Sequence, residues 1–275
     1  MAHAIGAHYL SRFVWVSDDP MHGGFSGLEL SDDGATFTAI SDRGSIASGR
    51  LLREGGAITG VADLRFERLR DTKGAPVLVK AEDAEGLAIA PDGTLFVSFE
   101  GQHRLWSYAG FGAAAQALPV HPDFAALQLN SGLEALAIDS DGSLYTLPER
   151  SGAMSTPFPL YRYDGAGWSI PYILPRRGTH LPVAADFGPD GKFYLLERDF
   201  SGLLGFSSRV RRFTLGAEGA QDEETVLTTP NLRHGNLEGL SVWRDAAGDI
   251  RLTMVVDDNF SMFQLTEFVE YRVTE

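Results

Sequence analysis

The sequence predicts an all-β chain folded as a β-propeller of five blades, each of four antiparallel strands. Three features lead there. A hairpin unit is written most clearly in residues 83–100: a short apolar run from Glu85 to Ala90, the turn Pro91-Asp92-Gly93, then the β-branched and aromatic run Thr94-Leu95-Phe96-Val97-Ser98-Phe99, a hairpin signature. Weaker copies recur around Gly34, Gly142, Gly191 and Gly248, and self-similarity at a period of about 50 residues marks a propeller or another repeat array. The last copy ends one strand short, whereas a strand-like stretch at residues 8–16 has no hairpin partner of its own.

The units fill out in chain order. Residues 8–16 alternate as a strand and need a sheet elsewhere. The first hairpin, from Ser26 to Asp42, is followed by strand-like runs at 49–53 and 64–69. The second adds 104–108 and 114–120, the third 160–163 and 168–174, and the fourth 209–215 and 223–229. The fifth, beginning at Glu238, has only 267–273 after its hairpin. Pairing 8–16 onto that run supplies the missing strand, ties the chain ends together and removes a sheet edge. The alternative, six blades, would need further strands between Asp71 and Glu82, where too few are written. One short helical turn is expected at residues 121–128, and 152–159, with two prolines, reads as a loop.

The totals fit one repeat-built domain spanning 1–275, since a chain of 275 residues with 44% hydrophobic content can bury a sizeable core. Lys and Arg number 23 against 37 Asp and Glu, a net charge of −14, which argues against nucleic acid or an anionic membrane as partner. Cysteine is absent, so neither a disulfide nor a thiolate metal site can form. The first ten residues lack the basic segment and apolar run of a signal peptide. The expected location is therefore periplasmic or secreted if a leader was trimmed, and otherwise cytoplasmic. A monomer is expected.

Start of first strand and end of second lie on one face of each blade, so aligning the copies yields two rings of acids. The inner ring holds Glu85, Glu134 and Glu238, with Ser26 and Val183 in the equivalent places. The second holds Asp42, Glu100, Glu149, Glu197 and Asp257. An acid present in every repeat reads as a structural device that caps loop amides or pairs with an arginine. The inner glutamates differ: carboxylates converging on a tunnel mouth repel one another unless a cation or protons compensate. Glu85, Glu134 and Glu238 are thus candidates both for catalysis and for holding a divalent cation, calcium favoured over magnesium.

Glu29 and Asp186 sit deeper on their strands, where other copies have Ala88 and Ala137. They are either further ligands or buried acids paired with an arginine such as Arg176 or Arg177. Small residues there alternate with Leu87, Ile89, Leu136 and Ile138, so one strand face packs tightly and the other fills the core. Arg43, His103, Arg150, Arg198, Asn130 and Asn236 fall in loops on the acidic face and are candidates for holding a substrate anion. Asp83, His180 and His234 lie nearby. No serine-nucleophile elbow, zinc-protease helix or phosphate loop is written, and no base can be assigned to Ser26.

The strings Gly23-Gly24-Phe25-Ser26-Gly27-Leu28-Glu29, Ala39-Ile40-Ser41-Asp42-Arg43-Gly44, Asp83-Ala84-Glu85-Gly86-Leu87-Ala88, Asn130-Ser131-Gly132-Leu133-Glu134-Ala135-Leu136, Leu195-Leu196-Glu197-Arg198 and Asn236-Leu237-Glu238-Gly239-Leu240 together resemble the phytase-like family labelled for esterase-like activity, over nearly the whole chain. The resemblance implies a bacterial β-propeller, usually exported, that hydrolyses phosphate or carboxylic esters. It supplies no set of catalytic residues. The leading expectation is a metal-dependent hydrolase of such small-molecule esters at the acidic mouth. A non-enzymatic propeller binding a cation-bridged ligand or a protein, and a sugar-lactone-type hydrolase, are the alternatives.

Overall fold

A computed structural model describes residues 5–77, 83–129, 131–261 and 263–274. Twenty strands form five four-stranded sheets arranged as a ring of blades. Blade one is β2 (Phe25–Leu30), β3 (Thr36–Ser41), β4 (Ser45–Glu54) and β5 (Ala57–Arg68). Blade two is β6 (Ala84–Ile89), β7 (Leu95–Phe99), β8 (Arg104–Tyr108) and β9 (Gln116–Ala117). Blade three is β10 (Leu133–Ile138), β11 (Leu144–Pro148), β12 (Phe158–Tyr163) and β13 (Trp168–Leu174). Blade four is β14 (Leu181–Phe187), β15 (Phe193–Phe200), β16 (Phe206–Gly216) and β17 (Gly219–Thr229).

Blade five carries the closure. Its order is β1 (Gly6–Val14), β20 (Glu267–Thr274), β19 (Ile250–Asp257) and β18 (Asn236–Arg244), so the first strand of the chain is the outer strand of the last blade, as expected. β1 pairs antiparallel with β20 from Gly6↔Thr274 to Val14↔Glu267. Just past β1, Trp15 is 2% exposed and stacks on Phe25 of blade one and Phe268 of blade five, with ring centroids 4.6 and 5.3 Å away. One aromatic side chain therefore bonds the closing strand to both blades beside the seam.

Hydrophobic burial is divided among five clusters, one at each seam between neighbouring blades. The seams are narrow because small residues line them. A Cβ on Gly86 would stand 2.6 Å from the Leu136 Cβ and 2.7 Å from the Glu134 carbonyl oxygen of blade three, closer than real contacts allow. Gly27 meets Leu87 and the Glu85 carbonyl of blade two in the same way, and Gly239 meets Leu28 of blade one. Ala135 and Ala184 hold the equivalent places in blades three and four.

Short polar turns close the inner hairpins. Asp139 Oδ1 accepts the Asp141 and Ser143 amides at 3.0 and 2.9 Å, and Asp245 does the same for Ala247 and Asp249; such side chains mimic a backbone turn. Two expectations need adjusting. The run 114–120 forms a strand with β8 only over Gln116–Ala117, because Ala114 bridges Arg70 instead and the Leu118 amide makes the last bond to β8, to the Leu105 carbonyl at 3.1 Å. The helical turn at 121–128 is a 3₁₀ segment at Pro122–Ala126, capped by His121 Nδ1 accepting the Asp123 amide at 3.1 Å.

All five inner strands share one irregularity that positions the site. In β10, Leu133 pairs with Pro148 and Ala135 with Leu147, leaving Glu134 as an extra residue outside the ladder. Ser26 in β2, Val183 in β14 and Glu238 in β18 are extra in the same way, and in β6 the register skips over Glu85 and Gly86. A bulge bends its strand and re-aims a side chain. It also shifts the two-residue alternation by one. This corrects the uniform alternation expected from sequence: residues three apart across the bulge, such as Ala84 and Leu87 or Leu133 and Leu136, enter the same hydrophobic cluster.

Candidate functional site: a carboxylate-lined channel mouth

The bulges bring the starts of the inner strands together at one end of the channel, beside the ends of the second strands. There, among the described residues, single oxygens of Glu85, Glu100 and Glu134 all lie within 4.8 Å of one another. Glu85 and Glu134 come from the bulges of blades two and three; Glu100 follows β7. None of the three has an ion pair with Lys, Arg or His among the described residues. The Gly132 amide donates to Glu100 Oε1. The Gly86 amide, freed by the bulge, donates to Ser98 Oγ at 2.9 Å.

Burial raises the pKa of Glu85 well above the usual carboxylate range, and the charges of Glu238, Glu100, Asp83 and Asp42 push the same way. Glu134 is raised by burial and then by Glu85, Glu100 and Glu149. Glu100 is raised by burial too. Around them Asp42 is pushed up to about 6 by burial and Glu238, and Asp257 to about 8 by burial, Glu238 and Asp42. A group of acids in this condition holds protons or a cation.

Glu238, which the sequence grouped with Glu85 and Glu134, stands next to these three and its charge acts on Glu85. It accepts from the Arg198 guanidinium and from Asn236 Nδ2, the latter at 2.8 Å. Arg198 also donates to Asn236 Oδ1 and approaches Glu149 at 3.7 Å, so it bridges blades three, four and five. Burial works against its charge, but Glu238, Glu134, Glu149 and Glu85 together hold its pKa above the ordinary value. Arg198 is the mouth's central positive group and Asn236 its fixed neighbour.

The other anticipated groups are spread around this centre. Arg43 is exposed at the rim, its guanidinium 3.1 Å over the centre of the Phe260 ring. Arg150 is about half exposed and lies 3.7 Å from Glu149. His103 packs on the Gly132 backbone, where a Cβ would meet its ring at 2.1 Å. It covers the segment whose amide holds Glu100. Asn130 lies outside the described residues. Ser26 Oγ donates to the Ala84 carbonyl of the next blade at 2.5 Å, an inter-blade tie. His234, 9% exposed, sits inside blade five with Nε2 2.6 Å from the Tyr271 hydroxyl, and burial lowers its pKa to about 4.

Glu29 and Asp186 occupy the opposite end of the channel. Both line a cavity bounded by the inner hairpin turns, together with Ser241, about 10 Å further along strands that rise some 3.3 Å per residue. Among the described residues neither pairs with an arginine: Arg177 holds Glu223 at 2.6 Å, and Arg176 lies over Phe158 with a contact to Met154 Sδ.

The second ring divides as well. Glu197 is wholly buried between Arg211, at 2.6 and 2.8 Å, and Arg209, at 2.8 Å, a structural device as expected. Glu100 is the member that joins the inner glutamates. Sequence alignment placed it with the structural acids; the available signal was the residue after it, Gly101, where Asp42, Glu149 and Glu197 are each followed by arginine.

Fold and mouth together define a five-bladed propeller whose channel is acid-lined at one end. The model of the family "Phytase-like: Esterase-like activity of phytase" matches residues 20–260, and the chain belongs to that family. No curated protein matches the sequence. Among solved structures it is similar to the catalytic domain of a Coprinopsis cinerea GH62 α-L-arabinofuranosidase, at 10% identity and TM-score 0.55 over 98% of both chains. It is similar to the Podospora anserina α-L-arabinofuranosidase PaAbf62A, at 10% identity and TM-score 0.53 over 99% of this chain and 97% of that one. The PQQ-bound aldose sugar dehydrogenase of Streptomyces coelicolor matches at 15% identity and TM-score 0.51, over 96% and 98%. At these identities the likeness is one of fold.

Proposed function

We propose that the protein is a divalent-cation-dependent hydrolase of esters, acting at the carboxylate mouth. The observation that carries this reading is the approach of Glu85, Glu100 and Glu134 to within 4.8 Å, with no ion pair to compensate them among the described residues. Calcium is the favoured ion, because oxygens 2.3–2.6 Å from a centre span about 5 Å across it, whereas the magnesium shell is tighter. A cation held there would polarise an ester oxygen and acidify a bound water.

The chain's own residues supply the rest. Arg198, fixed by Glu238 and Asn236, faces the negative charge that develops on the ester. Asp42, with its pKa near 6, is the candidate to take a proton from the attacking water at its carboxylate, since a base works best with a pKa near the operating pH. Arg43 and Arg150 at the rim would guide an anionic group inward.

The rim favours carboxylic esters with an apolar part over polyphosphates. Leu203, Phe263, Leu232, Leu129 and Phe200 are 101%, 93%, 71%, 70% and 63% exposed, all at the acidic face, Phe200 at the end of β15, Leu203 in a short 3₁₀ turn and the others in loops. The net charge of −14 also opposes a polyanion. The test is elemental analysis of the purified protein, then turnover of p-nitrophenyl acetate, butyrate, octanoate and phosphate with and without chelator. Chelator-sensitive hydrolysis that favours the longer acyl chains is expected. Bound metal without turnover would replace the enzyme with a cation-dependent binding module, and neither metal nor turnover would end the proposal.

A further inference from the structure

The far end of the channel opens into a cavity of about 1000 Å³, as large as the pockets that enclose whole small-molecule ligands. Its floor is formed by Glu29, Asp186 and Ser241, equivalent residues of the inner strands of blades one, four and five, which are consecutive around the ring. Ala88 and Ala137, their equivalents in blades two and three, are buried in the seams between blades, and Ile89 and Ile138 line the cavity on that side. One side of the cavity is therefore polar and the other apolar. Tyr145, Phe187 and Trp243 contribute aromatic wall.

The two acids are built in. Asp186 is 8% exposed, and its Oδ2 accepts the Val242 amide at 2.6 Å. Ser241 Oγ reaches Glu29 Oε2 at 3.5 Å, and the Leu30 amide donates to Ser241 Oγ at 2.9 Å. Neither carboxyl has a cation partner among the described residues, and each raises the cost of ionising the other. Asp32 and Asp139 add negative charge at the opening against Arg244 alone. The charge asks for a cation; the aromatic and aliphatic walls ask for an organic one.

We infer that this cavity is a second binding site, separate from the carboxylate mouth, for a small organic ammonium ion whose nitrogen sits between Glu29 and Asp186 and whose body lies against the walls. It rests on none of the residues proposed for hydrolysis. The experiment is isothermal titration of the intact protein, in chelator, with tyramine, benzylamine and cadaverine, and with 4-ethylphenol and glucose as neutral probes.

Saturable one-site binding of at least one amine is expected, weakened by salt and absent for 4-ethylphenol. Glu29→Gln and Asp186→Asn should each weaken it about tenfold or more, as loss of a charge-assisted contact does. Both changes keep shape, and the second keeps an acceptor for the Val242 amide; Ile138→Trp, which fills the cavity and leaves both acids in place, should abolish binding without touching the floor. Glucose or 4-ethylphenol binding as tightly as the amines, amine binding unchanged by these substitutions, calcium binding lost with Glu29→Gln, or no heat from any amine would each overturn the inference.

Discussion

Glu197 and Glu100 hold the same place in the repeat, at the end of a blade's second strand, and could hardly differ more in circumstance. Glu197 is 0% exposed and clamped by two guanidiniums. Glu100, 5% exposed, shares its space with two other carboxylates and has no ion pair among the described residues. The repeat decides where a side chain stands; the partners delivered by the third strand decide what it can do. Blade four sends Arg209 and Arg211 from β16 to Glu197, whereas among the described residues Glu100 is held by the Gly132 amide of blade three. A compensated acid is finished structure. An uncompensated one is a request for a ligand.

The sharpest way to break this contrast is at Glu197. Glu197→Gln leaves buried Arg211 short of its carboxylate, and breaking a buried pair costs about 3–5 kcal/mol. Calorimetry should show Tm falling on the order of 10 °C, with the response to divalent cation intact. Loss of that response would mean that both acids serve one site.

Next in size is the cation response itself. At a hundred times Kd, a bound ion stabilises by about 2.7 kcal/mol, so calcium should raise the wild-type Tm by several degrees and chelator should reverse it. Glu100→Gln and Glu134→Gln should each remove most of that rise while leaving Tm in chelator equal or higher, because the buried charge is gone. A Glu100→Gln protein that still responds fully would return Glu100 to the structural acids.

The mouth should also make stability depend on pH. Asp257 and Asp42 have folded pKa values of about 8 and 6, above the unfolded value near 3.9. Acids raised on folding contribute stability that is complete below the unfolded pKa and is lost as pH rises through the folded one. In chelator, melting curves from pH 5 to 8.5 should lose on the order of 5 kcal/mol, most of it from Asp257, and saturating calcium should flatten the slope. A protein that gains stability over that range without metal would contradict the uncompensated mouth.

The smallest effect is expected at Glu149, whose nearest cations, Arg150 and Arg198, stand 3.7 Å away. Glu149→Gln should cost less than about 1 kcal/mol and preserve the calcium response. A loss matching that of Glu134→Gln would extend the site to blade three's second-ring acid.

Architecture was readable from residues alone because each hairpin carries its own turn, its own alternation and its own glycine, and because the missing fifth-blade strand left a gap of the right size for residues 8–16. The convergence of Glu85 and Glu134 followed from equivalence within the repeat. What escaped depended on partners distant in sequence. A bulge is a mismatch between two strands, so Glu134 as an extra residue emerges only when β11 is laid beside β10. Arg198 was anticipated for a substrate, yet its carboxylate, Glu238, is forty residues on. That Glu29 and Asp186 sit deeper than the mouth acids followed from their place in the repeat, but that they line a separate cavity depends on how the five blades close around it.

The pairing of Gly6 with Thr274 sets a clock on folding. In order of synthesis, the first strand made waits for the last, and until β20 is released β1 has no partner while blades one to four can already pair locally. Contacts that close so long a loop are slow to form. An open ring with Trp15 uncovered and the β20 edge bare is the species most exposed to mispairing with a second chain. Yield should thus respond to how quickly the ends meet, more than to the strength of any single blade.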